Sequence, residues 1–198
     1  MGWERIRATF LATAGTLPGL VARIDDFTAP GLGTWDVAGL AGHTLRGVRT
    51  VLTYLGQPEP LSQDLSDAAD YFTAAMDRRQ ADPAAVDAAV AKRGEDELAG
   101  LGRTGIVGAF TAAADEAATA LHDTRGFRLV ATPFGSLRID DYLRTRLLEI
   151  SIHGLDLATA GGVAWAPPDD AVADGLAMLI EVAQRRGHGP GLLLALTG

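Results

Sequence analysis

The chain has 198 residues, which is enough for one domain with a substantial core but hardly for two full domains. Its formal net charge of -8 argues against anionic partners, so we expect neither nucleic acid nor a membrane surface among its ligands. There is no cysteine, and any bound metal must therefore be held by nitrogen and oxygen atoms. The first residues carry charges and no long apolar run, which favours a cytoplasmic protein without a signal peptide or a transmembrane span.

Helical periodicity dominates the chain and predicts a mainly α-helical fold. Pro18 is expected to kink or break the first helix, and Thr34 and Asp140 are predicted to cap later ones. The predicted helices span residues 3–27, 34–55, 64–76, 84–98, 106–121, 140–160 and 169–186.

A short β element interrupts the helices. Residues 127–131 alternate as a strand does, residues 133–135 supply a turn, and residues 137–139 form the returning strand. The apolar run at 192–196 leaves three alternatives: an edge strand, a contact in a homodimer, or the first piece of a further domain. We expect residues 1–165 to form the main bundle and residues 166–198 to add a helix and this apolar tail, as the remnant or start of a second domain.

A polar seam runs along the helix predicted at residues 140–160. At about 100° per residue, five polar side chains fall into one narrow sector, namely Tyr142, Arg146, Glu149, His153 and Asp156. Apolar shoulders flank the seam, one of them formed by Leu148, Ile152 and Leu155. Arg144 and Ser151 occupy the opposite sector and are expected to face water, which predicts that the seam points into the protein.

Glu149 and His153 are four residues apart and therefore share one face of their helix. A catalytic metal site commonly has three protein ligands and one open position, so we looked for a second histidine. His122 and His188 lie in exposed surroundings, whereas His43 lies mid-helix among glycines that would leave room around its ring, and it is the preferred third ligand. Two histidines and one glutamate suit zinc best, with nickel, iron or cobalt as alternatives.

The neighbouring charged residues have two interpretations each. Asp156 is placed to orient the imidazole of His153, or to pair with Arg146. Arg46 and Arg146 either receive a substrate carboxylate or form structural ion pairs. If Arg146 simply neutralises Glu149, the chain is a non-catalytic bundle that binds a small ligand or another protein.

Several short motifs recur in an ordered arrangement along the chain. They are Thr34-Trp35-Asp36-Val37 with Leu40 and His43, then Pro133 and Gly135 with Asp141-Tyr142-Leu143, and Arg146, Glu149, His153-Gly154 and Asp156-Leu157. In this order and spacing the chain resembles the mycothiol-dependent maleylpyruvate isomerase family, whose N-terminal domain belongs to the DinB-like group of metal-binding helical bundles.

The resemblance implies a DinB-like four-helix bundle whose metal ligands are His43, Glu149 and His153. It also implies that mycothiol is the cosubstrate of a cytoplasmic S-transferase or isomerase acting on a small electrophile such as maleylpyruvate. The metal would activate the thiol as a thiolate. A metal-dependent hydrolase, in which the same site activates water, remains an alternative on this fold.

Overall fold

The structure is a computed structural model that describes residues 2–197. Over this range the chain forms eight helices and one hairpin: α1 (Trp3–Val21), α2 (Val37–Leu55), α3 (Ala68–Ala81), α4 (Pro83–Leu98), α5 (Arg103–His122), β1 (Leu129–Thr132), β2 (Gly135–Arg138), α6 (Ile139–Ala160), α7 (Asp169–Arg185) and α8 (Gly189–Thr197). The predicted mainly helical fold with a short β element and an additional C-terminal helix is confirmed.

Helices α1, α2, α5 and α6 pack around one hydrophobic core and form the four-helix bundle. Each contributes large side chains that are at most 2 % exposed, among them Phe10, Leu17, Leu40, Leu45, Phe110, Leu121, Leu147 and Ile150. Burying a leucine or phenylalanine side chain contributes roughly 1.5–3 kcal/mol. The core therefore fixes how α2 and α6 lie against each other, and these two helices carry the candidate site.

Several helix ends differ from the predictions, and three of the differences have a clear local cause. Helix α1 continues through Pro18 and ends at Val21, because Pro18 lies in the last turn, where its missing N–H removes a single hydrogen bond. The cap of α2 is Asp36 rather than Thr34, since its Oδ1 accepts a hydrogen bond from the Gly39 N–H at 2.7 Å. Asp140 lies inside α6 and binds Arg138, whose Nε lies 3.0 Å from Oδ1 of Asp140.

Glycines in α2 let two other helices approach its backbone closely. A Cβ atom on Gly42 would lie 1.9 Å from the carbonyl oxygen of Gly94 in α4, and one on Gly47 would lie 2.6 Å from Cγ2 of Ile150 in α6. The expectation that these glycines make room around the ring of His43 is therefore wrong. Their missing side chains make room for the backbone of α4 and for a side chain of α6.

The hairpin packs beside α3 and brings its turn to the bundle. Strands β1 and β2 are antiparallel, with Leu129 opposite Arg138 and Thr132 opposite Gly135. Gly135 has a φ of 132°, a conformation that other residues rarely adopt. The neighbouring Phe134 ring lies edge-on to Tyr71 of α3, with 5.1 Å between the ring centroids.

The two sides of α6 differ from the sequence expectation. Ser151 is only 6 % exposed because α7 lies against this side of the helix, so the prediction that it faces water is wrong. Ile152 and Leu155 on the predicted apolar shoulder are 40 % and 44 % exposed. The polar seam is thus bordered by solvent along its C-terminal half.

The apolar run at the end of the chain is part of helix α8, which excludes the edge strand among the three alternatives. Leu193, Leu194 and Leu196 are each more than two thirds exposed. Across residues 2–197, no helix has the length and hydropathy needed to cross a bilayer.

Candidate metal centre

Two helices bring His43, Glu149 and His153 together at the surface of the bundle. His43 comes from the middle of α2, whereas Glu149 and His153 lie one turn apart on α6. Oε2 of Glu149 lies 3.6 Å from Nε2 of His43 and 3.7 Å from Nε2 of His153, and one ligand atom from each residue lies within 4.8 Å of the others. Three donor atoms therefore surround a space that one cation can fill.

The two imidazole rings are held in defined orientations. Their centroids are 4.6 Å apart at an interplanar angle of 79°, and Trp35 packs against His43 with 4.9 Å between the centroids. Nδ1 of His153 lies 3.0 Å from Oδ2 of Asp156. With the proton of His153 on Nδ1, shared with this carboxylate, Nε2 presents its lone pair toward Glu149.

The surroundings set the charge of each donor. Burial opposes ionisation of Glu149, but the adjacent His153 and His43 and the nearby Arg146 outweigh it and hold the pKa of this carboxyl well below its usual range. Burial lowers the pKa of His43, which favours its neutral, ligating form. For His153 burial acts in the same direction, but Glu149 and Asp156 outweigh it and raise the pKa of the ring.

The three side chains are partly accessible rather than sealed inside the bundle. Exposed fractions are 18 % for His43, 25 % for Glu149 and 17 % for His153. The prediction that the polar seam points into the protein is therefore only partly right, because these side chains reach the surface. The Glu149 carboxylate is still far from fully solvated. This degree of access leaves room for an exogenous ligand beside the three donors.

A cavity of about 620 Å³ adjoins two of the three donors, His43 and Glu149. Its size lies within the range of small-molecule sites. Helices α2 and α6 form one wall, and α3, α4 and the hairpin turn form the other, with the lining residues His43, Arg46, Gly47, Thr50, Tyr54, Tyr71, Phe72, Ala75, Arg78, Ala81, Asp82, Ala85, Val86, Ala89, Val90, Arg93, Pro133, Phe134, Tyr142, Arg146 and Glu149.

Arg146 lies between two tyrosine rings in this cavity. Its Cζ is 5.4 Å from the centroid of Tyr71 and 5.1 Å from that of Tyr142, and its Nε donates to Oγ1 of Thr145 at 3.1 Å. Within residues 2–197, no carboxylate lies within 4.0 Å of this guanidinium, so the predicted alternative of a direct Arg146–Glu149 ion pair is not formed. Arg146 retains donors that a ligand can use.

The other sequence candidates lie elsewhere. NH1 of Arg46 lies 3.1 Å from Oε2 of Glu97, whose other carboxylate oxygen, Oε1, binds Arg49. The structural interpretation of Arg46 therefore fits the observed contacts. His122 and His188 are exposed and do not belong to the group of three donors.

Sequence reasoning missed the second wall of the cavity. Tyr71 belongs to a helix with only weak amphipathic character, and Phe134 belongs to a turn. Neither position carries a periodic signal that points to α6, and only the packing of α3 and the hairpin brings these rings to Arg146. The paired aromatic residues Tyr71-Phe72 were the one local hint of a buried surface in α3.

A four-helix bundle in which two histidines and a glutamate converge from two helices defines a helical protein with a candidate divalent-metal site. The sequence model described as the mycothiol maleylpyruvate isomerase N-terminal domain matches residues 10–158. The chain belongs to this family, which confirms the resemblance seen in the motifs. Searches of curated proteins and of solved structures gave no significant match.

Proposed function

We propose that this protein is a metal-dependent thiol S-transferase or isomerase that uses mycothiol against a small electrophile such as maleylpyruvate. The observation that carries the proposal is the convergence of His43, Glu149 and His153 within 4.8 Å beside a cavity of about 620 Å³. Membership of the mycothiol maleylpyruvate isomerase N-terminal domain family supports the choice of thiol.

The donor set fits a divalent cation. Two imidazole nitrogens and one carboxylate suit zinc, and also nickel, iron or cobalt, and three protein ligands leave a coordination position open. When bound, such a cation supplies a positive charge that lowers the pKa of a thiol from about 8.5, so that the thiolate predominates near neutral pH. The chain has no cysteine, so the sulfur comes from a separate molecule.

The surroundings of the site favour the ligating forms of two of the donors, Glu149 and His43. Glu149 stays ionised because both histidines and Arg146 favour its charged form. Asp156 accepts a hydrogen bond from the Nδ1–H of His153, which leaves Nε2 of that ring facing Glu149. His43 is kept neutral by burial. A cation that enters would therefore have to compete only with the proton on His153, whose pKa Glu149 and Asp156 raise.

Arg146 is the proposed binding group for the electrophile. A planar guanidinium matches the geometry of a carboxylate, and the rings of Tyr71 and Tyr142 hold this one at the cavity wall. Glu149 lies one turn from Arg146 on α6, so a carboxylate held by Arg146 places the rest of a small acid near the three donors. Such positioning would orient the reacting carbon toward the sulfur.

The proposed reaction starts with a bond between the thiolate sulfur and an alkene carbon of the unsaturated acid. The π electrons move onto the conjugated carbonyl group, and rotation about the new single bond follows. Re-forming the double bond expels the thiolate and converts cis to trans, as an isomerase requires. In the transferase version the adduct instead takes a proton from water and is released.

Metal content and thiol dependence test this proposal separately. We expect close to one equivalent of zinc, nickel, iron or cobalt per chain in purified protein by elemental analysis, and loss of that metal in His153→Ala. His122→Ala is the matched control, because His122 is an exposed histidine away from the three donors, and it should keep the metal.

Turnover of maleylpyruvate should then be compared with mycothiol, with glutathione and without thiol. We expect conversion with mycothiol and little in the other two reactions. Equal rates in all three would exclude a thiol-dependent mechanism, and hydrolysis without thiol would favour the hydrolase alternative. Absence of stoichiometric metal, together with no thermal stabilisation by added zinc or nickel, would favour the non-catalytic bundle.

A further inference from the structure

The hydroxyl of Tyr71 lies beside the guanidinium of Arg146 in the cavity. Tyr71 is only 6 % exposed, and its oxygen accepts a hydrogen bond from NH2 of Arg146 at 3.4 Å. A tyrosine hydroxyl can both accept and donate a hydrogen bond. Among residues 2–197, no protein acceptor lies within hydrogen-bond distance of the Tyr71 proton, so this nearly buried donor is left for a ligand in the cavity.

The other two tyrosines of the cavity differ from Tyr71. The hydroxyl of Tyr142 donates to Oγ1 of Thr50 at 2.9 Å, so its proton already has an acceptor. The ring of Tyr54 packs against Tyr142 with 5.3 Å between the centroids, and in the described part of the chain its hydroxyl makes no hydrogen bond to Arg146. Tyr71 therefore combines a free donor with direct contact to the proposed carboxylate-binding residue.

Arg146 also affects how strongly the Tyr71 hydroxyl donates. A hydroxyl that accepts a hydrogen bond from a cation is polarised, and its own O–H becomes a better donor. Burial raises the pKa of Tyr71, so the phenol keeps its proton at neutral pH. The two side chains thus present neighbouring donors with one positive charge, an arrangement that stabilises an oxygen as it gains negative charge.

We propose that the Tyr71 hydroxyl is a catalytic group that donates a hydrogen bond to the carbonyl oxygen of the electrophile as thiolate addition makes that oxygen negative. The sulfur forms its bond to the alkene carbon, the π electrons move onto this oxygen, and Tyr71 keeps its proton. When the thiolate leaves, the electrons return and the carbonyl group re-forms. Arg146 holds the carboxylate of the same molecule. This role rests on the proposed function, because it concerns the thiol addition described above.

Steady-state kinetics of Tyr71→Phe with maleylpyruvate and mycothiol test the catalytic role. A donor that acts in the transition state should lower kcat and kcat/KM together, and loss of one such donor typically lowers kcat by about 10²–10³-fold. Metal content should not change. Thr73→Val is the matched control, because it removes a hydroxyl from the same helix outside the cavity and should keep the wild-type kcat. A higher KM with unchanged kcat would overturn the proposal, since the hydroxyl would then only hold Arg146.

A measurement without thiol tests the contact itself. The probe is β-acetylacrylate, a conjugated keto acid, which finds no thiol to react with on this cysteine-free chain. Hydrogen-bond donation to its carbonyl oxygen should shift its ultraviolet absorption to longer wavelength when it binds the wild-type protein. Tyr71→Phe should bind the probe without this shift, whereas Thr73→Val should retain it. Equal shifts in the wild type and in Tyr71→Phe would overturn the proposal.

The two measurements separate the role of Tyr71 from the proposed function. If Tyr71 shifts the absorption of the probe but no thiol-dependent turnover is found, the proposed function is contradicted and the contact between Tyr71 and the carbonyl oxygen is supported. If thiol-dependent turnover is found and Tyr71→Phe keeps the wild-type kcat, the proposed function is supported and the catalytic role of Tyr71 is overturned.

Discussion

Oδ2 of Asp156 lies 3.0 Å from Nδ1 of His153, while Nε2 of the same ring faces Oε2 of Glu149 at 3.7 Å. All three side chains project from α6, so a single helix supplies two candidate ligands and the group that orients one of them. The arrangement fixes both the rotation of the imidazole and the nitrogen that is free to bind a cation.

Replacing Asp156 by asparagine tests this relationship. The substitution replaces the charged acceptor of the Nδ1–H by a neutral amide, and such changes typically weaken metal affinity by about 10–100-fold. Competition with a chromogenic chelator should show that weakening for zinc. Asp115→Asn, on the exposed side of α5, is the control and should leave zinc affinity unchanged. Equal affinity in both variants would mean that Asp156 does not orient a ligand.

Arg146→Met tests the binding of an anionic electrophile. The substitution keeps an apolar side chain between Tyr71 and Tyr142 but removes the charge. A hydrogen bond to a charged group contributes about 1.5–3 kcal/mol, so we expect KM for a carboxylate-bearing electrophile to rise by roughly 10–100-fold. Metal content should not change. A comparable rise in KM for a neutral electrophile would contradict carboxylate recognition by this residue.

Gly42→Ala should destabilise the fold, because the new methyl group would collide with the carbonyl oxygen of Gly94 and push α4 away from α2. We expect a loss of about 1–3 kcal/mol in the free energy of unfolding, measured by urea denaturation. Gly108→Ala in α5 is the control, since a methyl group there meets nothing within 4 Å and should stabilise the helix by about 0.4–1 kcal/mol. Similar losses in both variants would exclude a specific close approach.

Asp174→Asn should stabilise the protein at neutral pH. Burial raises the pKa of Asp174, and its Oδ2 has no hydrogen-bond partner. Because the folded-state pKa exceeds the unfolded value of about 3.9, stability is greatest below that value and falls as the pH rises through the folded-state pKa. The asparagine variant lacks this fall. We expect a gain of about 1 kcal/mol at pH 7 that disappears below about pH 4, whereas a gain independent of pH would point to another cause.

The sequence was sufficient to predict the three candidate donors because local rules apply to them. Glu149 and His153 share a helix face by spacing alone. His43 was preferred because it lies mid-helix, whereas His122 and His188 lie in exposed surroundings. The sequence did not predict how α6 lies relative to the neighbouring helices. The periodicity of α6 defines a sector for Ser151 and Ile152 but does not tell which sector α7 covers.

The sequence predicted where helix α2 begins only to within a few residues. Thr34 and Asp36 are both good capping residues, and their order in the sequence does not select one of them. The choice follows from contacts before the helix, where the Val37 N–H donates to the carbonyl oxygen of Ala29 and fixes the backbone that enters α2. The pairing of Pro30 with Asp36 closes the same loop.

The distribution of the donors over two helices also has a thermodynamic consequence. Helices α3, α4 and α5 and the hairpin all lie between His43 and Glu149 in the sequence. A cation bound by both His43 and Glu149 would link two residues that are far apart in the sequence. The unfolded chain lacks this cross-link, so the binding free energy of the cation would add to the cooperativity of the bundle. Chelation would then loosen the contact between α2 and α6 before it affects the distant end of the core.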